Sequence, residues 1–216
     1  MSDAARKLGR RFLVIDGPDG AGKSTQVRLL ADWLRGQGAL VEVARDPGGT
    51  PIGERVRAIL LDRLHAEMAV PCELMLYMAS RAQLAEQVLR PALARGACVL
   101  CDRYISSTVA YQGAGGADAG QIRRVGQVAV GGLWPDLTIL LDLPAQKGLA
   151  RLAPARDRVE SKDFAYHSRV RELFLQQARQ DDRRWAVVDA DGGIEEVQSR
   201  LRSVIEKWTP PRSKDE

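Results

Sequence analysis

The sequence predicts an α/β fold, a five-stranded parallel sheet with helices on both faces. Short runs rich in Val, Ile and Leu alternate with helical patterns, and the runs are nearly continuous in apolar residues, as strands buried on both faces must be. Arg11 to Asp16 (RFLVID) reads as the first strand, followed by a glycine-rich turn and a helix from about Gly22 to Gly36. Leu40 to Ala44 is the second strand, closed by the loop Arg45 to Pro51, whose prolines and glycines interrupt regular structure. Pro71 to Arg95 has the mixed three and four spacing of a helix that Gly96 ends. Ala97 to Cys101, a run within Pro135 to Leu143 (DLTILLDL), and Trp185 to Asp189 supply the remaining strands. Such sheets bind ligands beyond the carboxyl ends of their strands.

The chain of 216 residues is read as one domain, residues 11–208, between a flexible lead (1–10) and a flexible tail (209–216). The charged segment 151–160 (RLAPARDRVE) is expected to be a mobile flap over the site. A hydrophobic fraction of 45% with 28% charged residues excludes disordered, collagen-like and disulfide-stapled classes. The formal charge of +4 suits a polyanionic small ligand, and without a clustered basic stripe it gives no case for nucleic acid. An odd number of cysteines (Cys72, Cys98, Cys101) and no signal-like start fit a reduced, cytoplasmic protein. Cys98 and Cys101 form a CxxC, but on a strand their side chains point to opposite faces, which argues against redox or zinc chemistry. No apolar run reaches the ~20 residues that span a bilayer.

Gly17-Pro18-Asp19-Gly20-Ala21-Gly22-Lys23-Ser24 fits GxxxxGK[ST] between a predicted strand and a predicted helix, the context this phosphate-binding loop requires; Thr25 follows it. Backbone N–H groups and the helix N-terminus surround a di- or triphosphate. Lys23 neutralises the β- and γ-phosphates, and Ser24 offers a hydroxyl to Mg²⁺. No NKxD-type base-reading motif and no evident nucleophile-orienting Gln occur, so a small-molecule kinase leads over a GTPase. Arg45 and Arg103 each stand at the carboxyl end of a predicted strand, on one rim of the sheet, where two bidentate-capable cations fit an acceptor phosphate.

Asp102 to Gly113 (DRYISSTVAYQG), with Arg45 to Thr50 (RDPGGT), the phosphate loop and Pro135 to Thr138 (PDLT), resembles the thymidylate kinase family over most of the chain, from about Phe12 to Val197. The resemblance implies a P-loop nucleoside monophosphate kinase fold, ATP as donor with Mg²⁺, dTMP as acceptor and a homodimer. It implies that Arg45 and Arg103 contact the monophosphate, that Tyr77 stacks on the thymine where Phe is more usual, and that Arg81 reaches a carbonyl oxygen of the base. Thr108 and Gln112 match positions that reach the base edge, Tyr111 packs against the sugar and disfavours a 2′-hydroxyl, and Asp19 accepts from the 3′-hydroxyl. Gly20 matches the form of the family whose catalytic arginine comes from the flap, with Arg156 and Arg158 as candidates and Arg151 nearer the ATP base. Asp102 either holds Mg²⁺ through water or orients Arg103. Asp46 stands where many relatives carry Glu, and the stretch between Arg151 and Asp157 is shorter than usual. Neither His65 nor His167 suggests an acid–base role. The alternatives are a deoxynucleoside kinase, disfavoured by Asp102-Arg103-Tyr104 where Glu-Arg-Ser is usual there, and a catalytically inactive nucleotide-binding homologue.

Overall fold

Apolar residues alternate between the two faces of each central strand, and that alternation sets the layers. In β1 (Phe12–Asp16), Leu13 and Ile15 face one core while Phe12 and Val14 face the other. The computed structural model describes residues 2–152 and 157–210. Its sheet comprises β1, β2 (Val41–Arg45), β3 (Cys98–Asp102), β4 (Leu137–Asp142) and β5 (Trp185–Asp189), all parallel, in the order β2-β3-β1-β4-β5. The five-stranded α/β expectation holds, with strand limits moved by a residue or two. On one face α2 (Lys23–Gly36) and α10 (Ile194–Lys207) enclose a core of Leu13, Ile15, Leu30, Leu34, Leu201 and Ile205. The other face is covered by α4 (Val70–Leu84), α6 (Ile105–Ala114), α7 (Ala119–Ala129) and α9 (Phe164–Gln180). Because β1 has β3 on one side and β4 on the other, chain connections diverge there and leave a crevice at its carboxyl end.

Several local readings are corrected. The lead, expected to be flexible, contains helix α1 (Asp3–Leu8), whose Leu8 is fully buried among the α2-side core residues and whose Lys7 Nζ donates to the Glu206 carbonyl at 2.7 Å. Leu8, the Lys7 bond and Ser2 N donating to the Gln37 carbonyl at 3.1 Å dock it. The helix read as continuous over Pro71 to Arg95 is α4, one π-turn (Ala85–Leu89), then α5 (Arg90–Ala94). Pro91 has no N–H to give the carbonyl four residues back and its ring crowds that carbonyl, so the helix widens just before it. The remaining α-helices among the described residues are α3 (Pro51–Leu61), begun by the Thr50 hydroxyl accepting from Gly53 N at 2.9 Å, and α8 (Ala145–Arg151).

Cys98 and Cys101 face opposite cores as free thiols, and burial pushes Cys98 up to about 12, so neither has the thiolate character that redox chemistry needs. Among the described residues no helix is long and apolar enough to cross a membrane.

Candidate active site

The carboxyl ends of β1, β2 and β3 open onto one cleft of about 350 Å³, the size of a small-ligand site. Its floor is the loop from Gly17 to Gly22. Gly20 holds φ +76°, and a Cβ there would stand 2.2 Å from the Gly148 carbonyl oxygen, so α8 packs backbone against backbone on the loop and no side chain fits at position 20. Gly22 precedes α2 with no side-chain cap, which leaves the first N–H groups of the helix available to an anion. Lys23 is almost fully buried and donates to the Pro18 carbonyl at 2.7 Å. Burial and the neighbouring Arg103 bring its pKa down to about 8 against the opposing pull of Asp19, Asp102 and Asp16. Ala21 is buried in the core, and Ser24 and Thr25 line the cleft.

That shift has a measurable sign. An incoming phosphate favours charged Lys23, so above about pH 8 ATP binding takes up a proton. At about pH 8.5 the calorimetric binding enthalpy is expected to vary with the ionisation enthalpy of the buffer, giving uptake of up to ~0.8 proton, and Lys23→Met should flatten the dependence. In the empty chain the depressed pKa costs stability at neutral pH, and the cost diminishes as pH rises from about 8 toward the unfolded value of 10.5.

Arg103 is the hub. It sits at φ 69°, left-handed for a residue with a side chain, which costs about 1–3 kcal/mol and is held by its surroundings. Its guanidinium donates to the Gly17 carbonyl and the Ser107 hydroxyl, each at 3.0 Å, pairs with the Asp19 carboxylate, and lies 5.0 Å over the Tyr111 ring. Asp16, at the end of β1, is fully buried and accepts from Ser106 and Ser107, each at 2.6 Å, and from Gly17 N at 2.9 Å. One carboxylate thus fixes the start of α6 against the start of the phosphate loop. Sequence reading missed Asp16, although an acidic residue closing an apolar strand before a glycine loop is a usable signal.

At the end of β2, Arg45 is half exposed and its guanidinium bonds both oxygens of Glu54, at 2.8 and 2.9 Å. Gly48, at φ +125°, lets Glu54 approach, for a Cβ there would meet Glu54 Oε1 at 2.5 Å. Arg81 is fully buried, pairs with Asp46 at 2.6 Å and donates to Thr108 Oγ1 at 3.0 Å and to the Tyr104 carbonyl at 3.2 Å. Tyr77, Arg81, Thr108, Tyr111 and Gln112 all line the cleft, and both side-chain polar atoms of Gln112 are buried without a partner. A buried, unsatisfied amide beside an open cavity is a polar site waiting for a ligand. Arg57, Asp157 and Glu160 also line the cleft, and sequence reading did not assign them to it.

The flap differs from expectation. Arg156 lies outside the described residues. Arg158 does not line the cleft: it is buried, pairs with buried Glu73 and donates to the Leu60 carbonyl at 2.9 Å, which anchors the flap to α3 and α4. Its distance in sequence from Glu73, 85 residues, hid that partnership. Arg151 reaches toward the carbonyls of Gly20, at 3.4 Å, and Ala190, at 3.5 Å.

Ser24 Oγ donates to Asp102 Oδ2 at 2.5 Å. A hydroxyl and a carboxylate side by side at the head of α2 are hard oxygen donors that fit Mg²⁺, which binds through one or two such groups while keeping waters and substrate phosphates. Among the described residues no larger cluster of metal-ligating side chains occurs.

A phosphate loop at the divergence point of a parallel sheet, sharing one cleft with arginines at the ends of two neighbouring strands, defines a P-loop phosphotransferase with a second ligand pocket. The chain matches the thymidylate kinase family over residues 15–201 and belongs to that family. It is 47% identical over 193 residues to the thymidylate kinase of Exiguobacterium sp., covering 88% of this chain and 91% of that one. It is 44% identical over 203 residues to that of Alcanivorax borkumensis, covering 93% and 98%. The crystal structure of thymidylate kinase from Ehrlichia chaffeensis superposes with a TM-score of 0.76 at 29% identity, covering 92% of this chain and 99% of that one.

Proposed function

We infer that this chain transfers the γ-phosphoryl group of ATP to dTMP, giving dTDP and ADP. The observation that carries the reading is one cleft that brings together the phosphate loop, Arg103 hydrogen-bonded to that loop, Arg45 and an unpaired Gln112 amide. The acceptor phosphate oxygen is already an anion at neutral pH, so the protein's work is alignment and charge stabilisation, and no strong base is required.

The loop N–H groups and Lys23 hold the donor phosphates, with Arg151 on the base side. Ser24 and Asp102 would hold Mg²⁺, which would neutralise phosphate charge when bound. Arg103 and Arg45 grip the acceptor phosphate, the latter after exchanging Glu54 for it. Tyr77 stacks on the base, Arg81, Thr108 and Gln112 read its edge, Tyr111 backs the sugar, and Asp19 accepts from the 3′-hydroxyl. Since no side chain fits at position 20, the flap supplies the arginine for the transferring group, and Arg156 takes that role while Arg158 anchors the flap. Ile52 and Ile59, seven residues apart on one face of α3, are exposed apolar side chains, which supports the homodimer that the family resemblance implies.

ADP release by the purified protein with ATP and Mg²⁺, compared across dTMP, dUMP, dCMP, UMP and thymidine, tests the reading. dTMP is expected to be used fastest. Preference for thymidine would make the protein a nucleoside kinase, and no turnover from folded, ATP-binding protein would make it an inactive homologue.

A further inference from the structure

Asp19 has one carboxylate oxygen engaged and one idle. Oδ1 takes the Arg103 guanidinium, whereas Oδ2 is buried and has no hydrogen-bond partner. Two polar groups face it: the Tyr111 hydroxyl, itself buried without a close partner, and His167, whose Nδ1 lies 3.9 Å from Oδ2. His167 is 3% exposed, on the first turn of α9, with Tyr166 edge-on to its ring at 5.4 Å; its Nε2 is likewise buried without a partner. It does not line the cleft but stands behind Asp19. The neighbouring side chain does a parallel job, for the Tyr166 hydroxyl donates to the Tyr111 carbonyl at 2.9 Å. One turn of α9 therefore backs both residues assigned to the acceptor sugar.

We propose that His167 is a positioning residue for the acceptor's 3′-hydroxyl: its Nδ1–H holds Asp19 Oδ2 and so fixes the carboxylate in the orientation that the hydroxyl meets. A carboxylate opposite Nδ1 selects the tautomer protonated there. Closing from 3.9 Å to a hydrogen bond takes about 1 Å of movement, and it relieves an unsatisfied buried oxygen, which a fold rarely tolerates. Without that contact the carboxylate is held firmly only through Oδ1 by Arg103, and Oδ2 is left to the Tyr111 hydroxyl. The proposal rests on Asp19 serving the sugar hydroxyl, as assigned above.

The test compares dTMP with its 3′-deoxy counterpart, 2′,3′-dideoxythymidine monophosphate, in steady-state turnover by the wild type, His167→Phe and His167→Asn. Phe keeps the packing and removes the N–H; Asn keeps a donor near Nδ1. Wild type is expected to favour dTMP, and His167→Phe to lose about 10-fold of that preference through the KM for dTMP, with the 3′-deoxy acceptor and the KM for ATP unchanged. His167→Asn should restore most of the preference. An unchanged ratio in His167→Phe, or an equal fall with both acceptors, overturns the proposal. Should His167→Phe not fold, the wild-type imidazole nitrogen resonances decide: dTMP should shift His167 Nδ1 and the 3′-deoxy acceptor should not, and identical spectra would overturn it. Wild-type protein that ignores dTMP altogether instead refutes the functional reading beneath the proposal.

Discussion

Arg103→Ala is expected to lower kcat/KM for dTMP about 10³-fold, equivalent to about 4 kcal/mol of transition-state stabilisation, while weakening ATP binding less than ~10-fold. The asymmetry follows from position. Arg103 touches the phosphate loop at the Gly17 carbonyl and Asp19 and stands near Lys23, but its bond to Ser107 and its place over Tyr111 set it beside the residues assigned to the acceptor. Arg103→Lys should recover little, because a point charge cannot bridge carbonyl, hydroxyl and carboxylate in one plane. Steady-state kinetics with each substrate varied in turn checks this. A parallel loss of ATP and dTMP binding would place Arg103 in the scaffold rather than at the acceptor.

The second large effect concerns stability. Asp46→Ala is expected to cost about 3–5 kcal/mol of unfolding free energy, because it strands the Arg81 guanidinium in a buried site. Burial pushes the Asp46 carboxyl up and Arg81 pulls it back, so neither charge is comfortable without the other. Arg81 would keep its bonds to Thr108 and the Tyr104 carbonyl, but no anion. The double variant Asp46→Ala/Arg81→Met should be more stable than Asp46→Ala alone, since no uncompensated charge remains. Urea titrations of the three proteins give the answer. Asp46→Ala with unchanged stability would mean that the pair contributes specificity without stability.

The sheet was legible because buried parallel strands write themselves as apolar runs, and Trp185–Asp189 was read to the residue. The phosphate loop was legible because its chemistry is local: glycines, lysine and serine act within one turn. Residues that act through distant partners were harder. Arg158 looked like a free flap cation until Glu73 appeared beside it, and His167 has no sequence signal that links it to Asp19. Asp16 was passed over because a single carboxylate at a strand end does not announce three donors converging on it. Helix α1 was missed for lack of any pattern beyond Leu8.

The central claim is that donor and acceptor phosphates face one another in one cleft, bridged by Lys23 and Arg103. Calorimetric titration with adenosine and thymidine joined 5′ to 5′ by five phosphates tests it most directly. One molecule per chain should bind at least ~100-fold more tightly than ATP or dTMP, because the second site is filled at no further cost in translational freedom, and Arg103→Ala should abolish most of that gain. Affinity no better than that of the tighter single nucleotide would show that the two sites do not share a cleft.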